Sequence, residues 1–206
     1  MSGRGGTPPK REAPGLLRVA FVPGVTPDKW ARSWRERPGR IRLELVPLEQ
    51  SEAEQAVRAG QVDMALVRLP VDRTDLHQVR LYDEVPVVVV SKEHPATAYD
   101  DVALTDLAGE QHIGGPPGGL VPTVDQLDFP AMSAREAVEV AAAGTGVVVL
   151  PMSVARLHHR KDVVHRPVRD LEPTTVALIW PVERDDELTQ AFVGVVRGRT
   201  PRSSRG

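Results

Sequence analysis

The chain has 206 residues, with 26 Lys and Arg against 28 Asp and Glu and a formal net charge of −2. That balance argues against a protein whose main task is gripping a phosphate backbone, because such a task needs a concentrated basic face. There is no cysteine, which excludes disulfides, cysteine-based zinc sites and thiol nucleophiles.

Residues 1–15 (MSGRGGTPPKREAPG) are Gly, Pro, Arg and Lys without an apolar core. They cannot serve as a secretory signal and read as a disordered arm. Leu17 to Val22 is the first strand expected. Thr26 and Pro27 supply an N-cap and a first-turn proline for a helix carrying Trp30 and Trp34 on one face. Pro38-Gly39 stops that helix, and Ile41 to Val46 alternates as a half-buried strand does. Ser51 and Glu54 have capping-box spacing before a helix that buries Ala53, Ala56 and Val57 and ends at Gly60. Val62 to Val67 is the next strand. Residues 17–67 therefore read as β-α-β-α-β, the order of a parallel sheet covered by helices.

Leu76 to Leu81 and Val85 to Val90 look extended. The second is the longest apolar stretch and falls far short of the ~18 residues of a membrane span, so no membrane association and a cytoplasmic location are expected. Thr105 to Ala108 is at most a short helix, and His112 to Pro130 is rich in Gly and Pro. Ser133 and Glu136 repeat the capping-box spacing ahead of a helix at Ala134 to Ala143, which Gly144 stops. A strand at Val147 to Leu150, a short helix from Pro151, a strand at Val176 to Trp180 and a helix at Asp186 to Val196 complete the order. Residues 198–206 read as a disordered tail.

Six stretches, taken together, resemble the effector-binding (substrate-binding) domain of LysR-type transcriptional regulators. They are LRVAFVPGVTP from Leu17, IRLELVPLEQSEAEQAVRAGQVDMALVRLP from Ile41, VPVVVVSKEHP from Val85, LTDLAGE from Leu104, AAAGTGVVVLPMSVA from Ala141, and ALIWPVERDDELTQAFVGVV from Ala177. The resemblance covers about residues 16–197 and implies the α/β fold of type 2 periplasmic binding proteins. Two Rossmann-like lobes are then joined by two crossover segments. Residues 16–84 and 166–197 would form lobe I, and residues 85–165 lobe II. The second lobe is expected to be trimmed, since GGPPGGL (residues 114–120) cannot form the helix that the family usually has there. Only a short arm precedes the first strand, so no recognition helix is in view and no sequence-specific DNA binding is expected of these residues.

Open α/β sheets bind ligands beyond the carboxyl ends of their strands, where helix N-termini converge. With the resemblance, which implies an effector-contacting Ser or Thr in the turn nearest Thr26 and a contact position at Gln50, that places Val25, Thr26, Gln50, Ser51 and Arg68 at a first-lobe site, with Arg68 able to pair bidentately with a carboxylate. Gly114, Gly115 and Ser133 are the second-lobe candidates. The plainer alternative for Thr26 and Ser51 is that their hydroxyls only cap their own helices. The Gly-rich stretch lacks the Lys-Ser/Thr of a phosphate-binding loop. The histidines have no ligand spacing, so neither a metal nor another cofactor is expected.

The function implied is binding of a small organic effector, expected to be a carboxylate, in an inter-lobe cleft. The protein would act in transcription through a partner or as a stand-alone sensor, and not as an enzyme. The resemblance also implies a homodimer through the first helix and second strand, although Trp30 and Trp34 equally suit a monomer's core. The competing reading is a dimerisation module that pairs with full-length regulators without binding a ligand.

Overall fold

The computed structural model describes residues 15–37 and 41–198. The expected arm before Gly15, the helix stop at Pro38-Gly39 and the expected tail beyond Gly198 lie outside the described residues. In chain order the elements are β1 (Leu16–Phe21), α1 (Asp28–Arg35), β2 (Arg42–Pro47), α2 (Gln50–Arg58), β3 (Met64–Arg68), β4 (Leu76–Glu84), β5 (Pro86–Ser91), α3 (Ala134–Ala142), β6 (Val148–Pro151), α4 (Met152–Leu157), β7 (Val163–Pro167), β8 (Thr174–Pro181) and α5 (Glu187–Val196).

They form two sheets. The first has five strands in the order β2-β1-β3-β8-β4, and the second has three in the order β6-β5-β7. β1 pairs in parallel with both β2 and β3, as the alternation of strands and helices dictates. The antiparallel strands β8 and β4 complete the sheet. β3 is buried along its whole length, which is why MALVR shows no polar alternation. The chain enters the second sheet across Val85 and returns between Pro167 and Thr174. This is the two-lobed α/β architecture with a double crossover.

The first core is closed by α1 and α5. Trp34 meets Phe192 edge-on with ring centroids 5.6 Å apart, and Trp30 and Trp34 are 6% and 7% exposed. The Trp stripe is therefore a core face. The Trp34 indole donates to the Ile41 carbonyl at 3.2 Å, so the same side chain pins the entry to β2. Asp63, at the start of β3, accepts from the Arg18 backbone N–H at 2.7 Å and from Arg184 at 2.7 Å. It is a structural carboxylate of the turn.

Helix starts depart from expectation at two places. α2 begins at Gln50, with Glu49 as an N-cap that makes no side-chain hydrogen bond. Ser51 thus lies inside the first turn and closes no capping box. α1 likewise begins at Asp28, with Pro27 rather than Thr26 in the capping position. At α3 the expected capping box forms between Ser133 and Glu136. These hydrogen bonds to the Ser133 backbone N–H and hydroxyl hold the Glu136 carboxyl below its usual range.

As expected from GGPPGGL, the stretch it opens forms no helix. No α-helix or β-strand of the described residues falls between Leu107 and Ala134. Two glutamines anchor this stretch. Gln111 accepts from the Leu127 N–H at 2.7 Å and donates to the Asp125 carbonyl at 3.0 Å. Gln126 accepts from the His112 N–H at 2.9 Å and donates to the Glu110 carbonyl at 2.9 Å. The strand β7 has no counterpart in the sequence reading, because Val163 and Val164 are followed by His165 and Arg166 and give too short an apolar signal.

Phe192 is fully buried and shared between α1 and α5. Phe192→Ala should lower unfolding stability by about 3–5 kcal/mol. Urea denaturation followed by tryptophan fluorescence checks this through the neighbouring Trp34.

Candidate functional site

The carboxyl ends of β1 and β2 face α4 of the second lobe across a cleft of about 1000 Å³. The turn after β1 contributes Pro23, Gly24, Val25 and Thr26, and the approach to α2 contributes Leu48, Glu49 and Glu52. Tyr82 and Glu84 come from the end of β4, Val85 from the first crossover, and Met152, Ser153, Arg156 and Leu157 from α4. A smaller chamber of about 580 Å³ lies on the α1 side, lined by Lys29, Trp30 and Arg32. The two chambers share Gly24, Thr26, Tyr82, Glu84 and Ser153. Those shared residues are the partition where the lobes touch.

The partition is built around a buried ion pair. The Arg68 Nε donates to Glu84 Oε2 at 2.7 Å, and the two side chains are only 10% and 5% exposed. Ser153, in the first turn of α4, donates to Glu84 Oε1 and accepts from Arg68 Nη2 at 3.0 Å. One hydroxyl thereby links the second lobe to both charges of the first. A register shift in β4 between Arg80 and Tyr82 sets the approach to this corner; bulges of this kind re-aim side chains beside functional sites. Tyr82 then lines both chambers. Burial pushes its phenol pKa up, and the Glu84 charge pushes it the same way, while Arg68 opposes them.

Close approach at the partition demands glycine. Gly24 has φ +85°, and a Cβ built there would lie 2.6 Å from the Ser153 hydroxyl oxygen and 3.0 Å from the backbone of Ser153 and Val154. The turn that carries Gly24 is closed by a hydrogen bond from the Val25 N–H to the Val22 carbonyl at 3.1 Å.

The residues singled out from the sequence divide into three groups. Val25 and Thr26 line the cleft, and Thr26 is exposed with its hydroxyl not spent on capping α1. Gln50 and Arg68 stand behind the cleft. The Gln50 amide accepts from the Arg68 N–H at 3.0 Å and donates to the Arg68 carbonyl at 2.9 Å. This clamp joins α2 to β3. Ser51 is exposed and lines neither chamber. Gly114, Gly115 and Ser133 come together elsewhere, in a groove of about 690 Å³ within the second lobe beside β6 and the start of α3.

Sequence reasoning missed Tyr82, Glu84, Ser153 and Arg156. Ser153 had a usable signal, since it opens a helix directly after a strand, as Thr26 does. Glu84 had none, because its burial depends on a partner in another strand. Among the described residues no group of three or more His, Asp or Glu side chains is placed to hold a metal ion. No helix among them is long and apolar enough to cross a membrane.

Comparison with known proteins follows the same lines. The family model described as the LysR substrate binding domain matches residues 10–201. The Hca operon transcriptional activator HcaR of Escherichia coli is 26% identical over 200 residues, covering 89% of this chain and 67% of that protein. The HTH-type transcriptional regulator CatR of Pseudomonas putida is 29% identical over 172 residues, covering 75% of this chain and 58% of that protein. The chain thus spans roughly three-fifths to two-thirds of these curated relatives. Among solved structures, the effector binding domain of BenM with its effector benzoate superposes with a TM-score of 0.72 at 19% identity, covering 90% of this chain and 95% of that one. A full-length OxyR from Pseudomonas aeruginosa gives 0.67 at 20% identity, covering 95% of this chain and 70% of that one. At these identities the structural likeness concerns the fold.

Gly24→Ala should drive the lobes apart at the partition and strain the turn, lowering stability by about 1–3 kcal/mol. Thermal unfolding should show a reduced midpoint, and small-angle scattering a larger radius of gyration. A variant with unchanged midpoint and radius would show that the contact does not set the spacing of the lobes.

Proposed function

We propose, for a chain that belongs to the LysR substrate binding domain family, that it binds a small organic effector in the cleft between its lobes and so takes part in transcriptional regulation. The observation that carries this reading is the cleft itself. It lies beyond the carboxyl ends of parallel strands, where this architecture places ligands, and both lobes contribute to its walls. Phe21, Leu48, Met152 and Leu157 offer apolar surface, and Thr26 and Arg156 are the polar groups on this wall that can meet an acid, beside the carboxylates of Glu49, Glu52 and Asp83. The expected effector is an organic acid of modest size, and the expected compartment is the cytoplasm, where transcription takes place. The relatives are named as transcriptional regulators, and the regulatory role is carried to this chain as part of the same proposal.

Signal requires that the ligand distinguish two arrangements of the lobes, because a ligand with equal affinity for both shifts nothing. Ser153 is suited to report such a shift, since its hydroxyl touches both charged groups of the opposite lobe. A thermal-shift screen of aromatic and aliphatic carboxylates tests the reading. A true effector at a hundredfold its Kd should stabilise the chain by about 2.7 kcal/mol. The gain should be lost when the exposed Leu157 is replaced by a charged residue. Silence across a broad screen would count against the cleft as an effector site.

The same reading includes a homodimer through α1 and β2. β2 is an edge strand of the first sheet, with Ile41 42% exposed beside half-buried Leu43 and Leu45. A groove between α1 and β2 carries Ala31, Arg35 and Leu43. An unpaired strand edge of this kind invites a partner. Light scattering should give twice the chain mass, and Leu43→Lys should return the chain to a monomer without loss of fold. A wild-type chain that stays monomeric at high concentration would remove this part. Pairing with a full-length regulator through the same surface would show in a pull-down that needs no ligand.

A further inference from the structure

We infer that the corner of the second lobe where α4 meets β7 is a site for a tetrahedral oxyanion of the phosphate class, held by Arg156, His159 and His165. His159 and His165 line neither chamber of the cleft, and only Arg156 is shared with its wall. The site therefore goes beyond the effector reading, and a failed effector screen would leave it untouched.

The fold brings these side chains together from two elements. In the pairing of β7 with β5, His165 stands opposite Val89 and Val163 opposite Ser91. Residues two apart on a strand share a face, so His165 lies on the same face as Val163. That is the face α4 covers, because Val89, Val163, Ala155 and Met152 pack in one core. Arg156 directly follows Ala155, and His159 lies just past the end of the helix. Arg156 and His159 are exposed and His165 is half-buried. Burial, and after it the charges of Arg156, His159 and Arg166, push the His165 pKa down.

The corner holds positive charge that no acid cancels. Among the described residues, Arg156, His159 and His165 make no side-chain hydrogen bond or ion pair, and the charges that act on His165 are all positive. The nearby acids are engaged by other cations. Arg160 holds Asp162 at 2.8 Å, and Arg135 of α3 holds Glu139 at 3.2 Å. Lys92, just past β5, also acts on Asp162. Arg166 spends its donors on the carbonyls of Thr97, Tyr99 and His165, so its charge too meets no carboxylate. His158 and Lys161, in the segment after α4, add to the same field. Complementing a helix dipole does not account for the cluster, because α4 has only six residues and His165 belongs to a strand. Like charges gathered without a counterion disfavour their own charged forms, and a bound anion reverses that.

The arrangement selects the class of anion. Donors approach from a helix end and from a strand. A tetrahedral oxyanion presents oxygens to both, whereas a carboxylate presents two in one plane. Such an anion raises the imidazole pKa values, so its binding takes up protons and strengthens as pH falls.

Sodium sulfate is the probe, because it is tetrahedral and keeps its charge while imidazole titrates. In NMR spectra of the full chain, the His159 and His165 ring signals should shift saturably with sulfate, and their titration midpoints should rise. Sodium chloride at equal ionic strength should do neither. Affinity should be roughly tenfold or more higher at about pH 6 than at about pH 8, since the imidazoles must be charged. Arg156→Gln and His165→Gln should each weaken binding about tenfold, the scale of one charge-assisted hydrogen bond. Lys161→Gln should weaken it far less. Unchanged amide signals elsewhere show that a variant folds, and His159→Gln takes the place of His165→Gln if that one does not. Inorganic phosphate should displace the sulfate. Unsaturable shifts, or an equal response to chloride, would overturn the inference. So would equal losses in Lys161→Gln and Arg156→Gln, which would reveal a diffuse field in place of a site. Displacement by a short DNA duplex but not by inorganic phosphate would overturn it as well, by assigning the corner to a nucleic-acid backbone.

Discussion

The junction of the two lobes depends on one buried ion pair. Removing two charges from water costs several kcal/mol per ion, and the cost is met only when every charged atom finds a partner in good geometry. Here Arg68 ends β3, Glu84 ends β4 and Ser153 opens α4, and all three must converge for the pair to be satisfied. Satisfying the charges therefore fixes where the second lobe sits. Gly24 follows from the same constraint, because the turn after β1 must pass within contact of Ser153.

The cleft follows from topology. β1 lies between β2 and β3 and runs parallel to both. Right-handed crossovers then carry α1 and α2 over opposite faces of the sheet. The turns diverge at the carboxyl end of β1 and leave a crevice at that switch point. The second lobe roofs it with α4, and the Gly24–Ser153 contact divides it into an apolar chamber and a smaller one with Lys29 and Arg32. The charges on the two sides differ because Glu49 and Glu52 sit at the start of α2, where acidic groups complement the helix dipole.

The second lobe combines a small sheet with a stretch held by side-chain anchoring. A three-stranded sheet with two helices encloses a small core around Val87, Val89, Val138 and Val148. The stretch from Gly114 to Met132 lacks the hydrogen-bond ladder of a helix, so its backbone groups need other partners. Gln111 binds the Leu127 N–H and the Asp125 carbonyl of the stretch, and Gln126 reaches back from it to the His112 N–H and the Glu110 carbonyl. This leaves Gly114, Gly115 and Ser133 around a groove of their own, away from the cleft where α4 supplies the second-lobe contacts.

Much of the fold was legible because its determinants are local. Apolar periodicity, the glycines at the ends of α2 and α3, and the capping box at Ser133 each act within a few residues, and they placed the β-α-β-α-β start, α3 and α5 close to where they stand. Helix starts slipped by two residues at α2 because the Gln50 side chain is engaged by Arg68, a contact 18 residues away. β7 went unread because its five residues are only half apolar and depend on β5 for hydrogen bonding. The order of motifs also carried the family resemblance and, with it, the expectation of a cleft. What the order of residues could not convey is which buried charge meets which. Glu84 and Ser153 lie 16 and 85 residues from Arg68, and nothing in their neighbours marks them as partners. A charge becomes buried only when distant segments exclude water around it, and that is decided by the packing of the two lobes against each other.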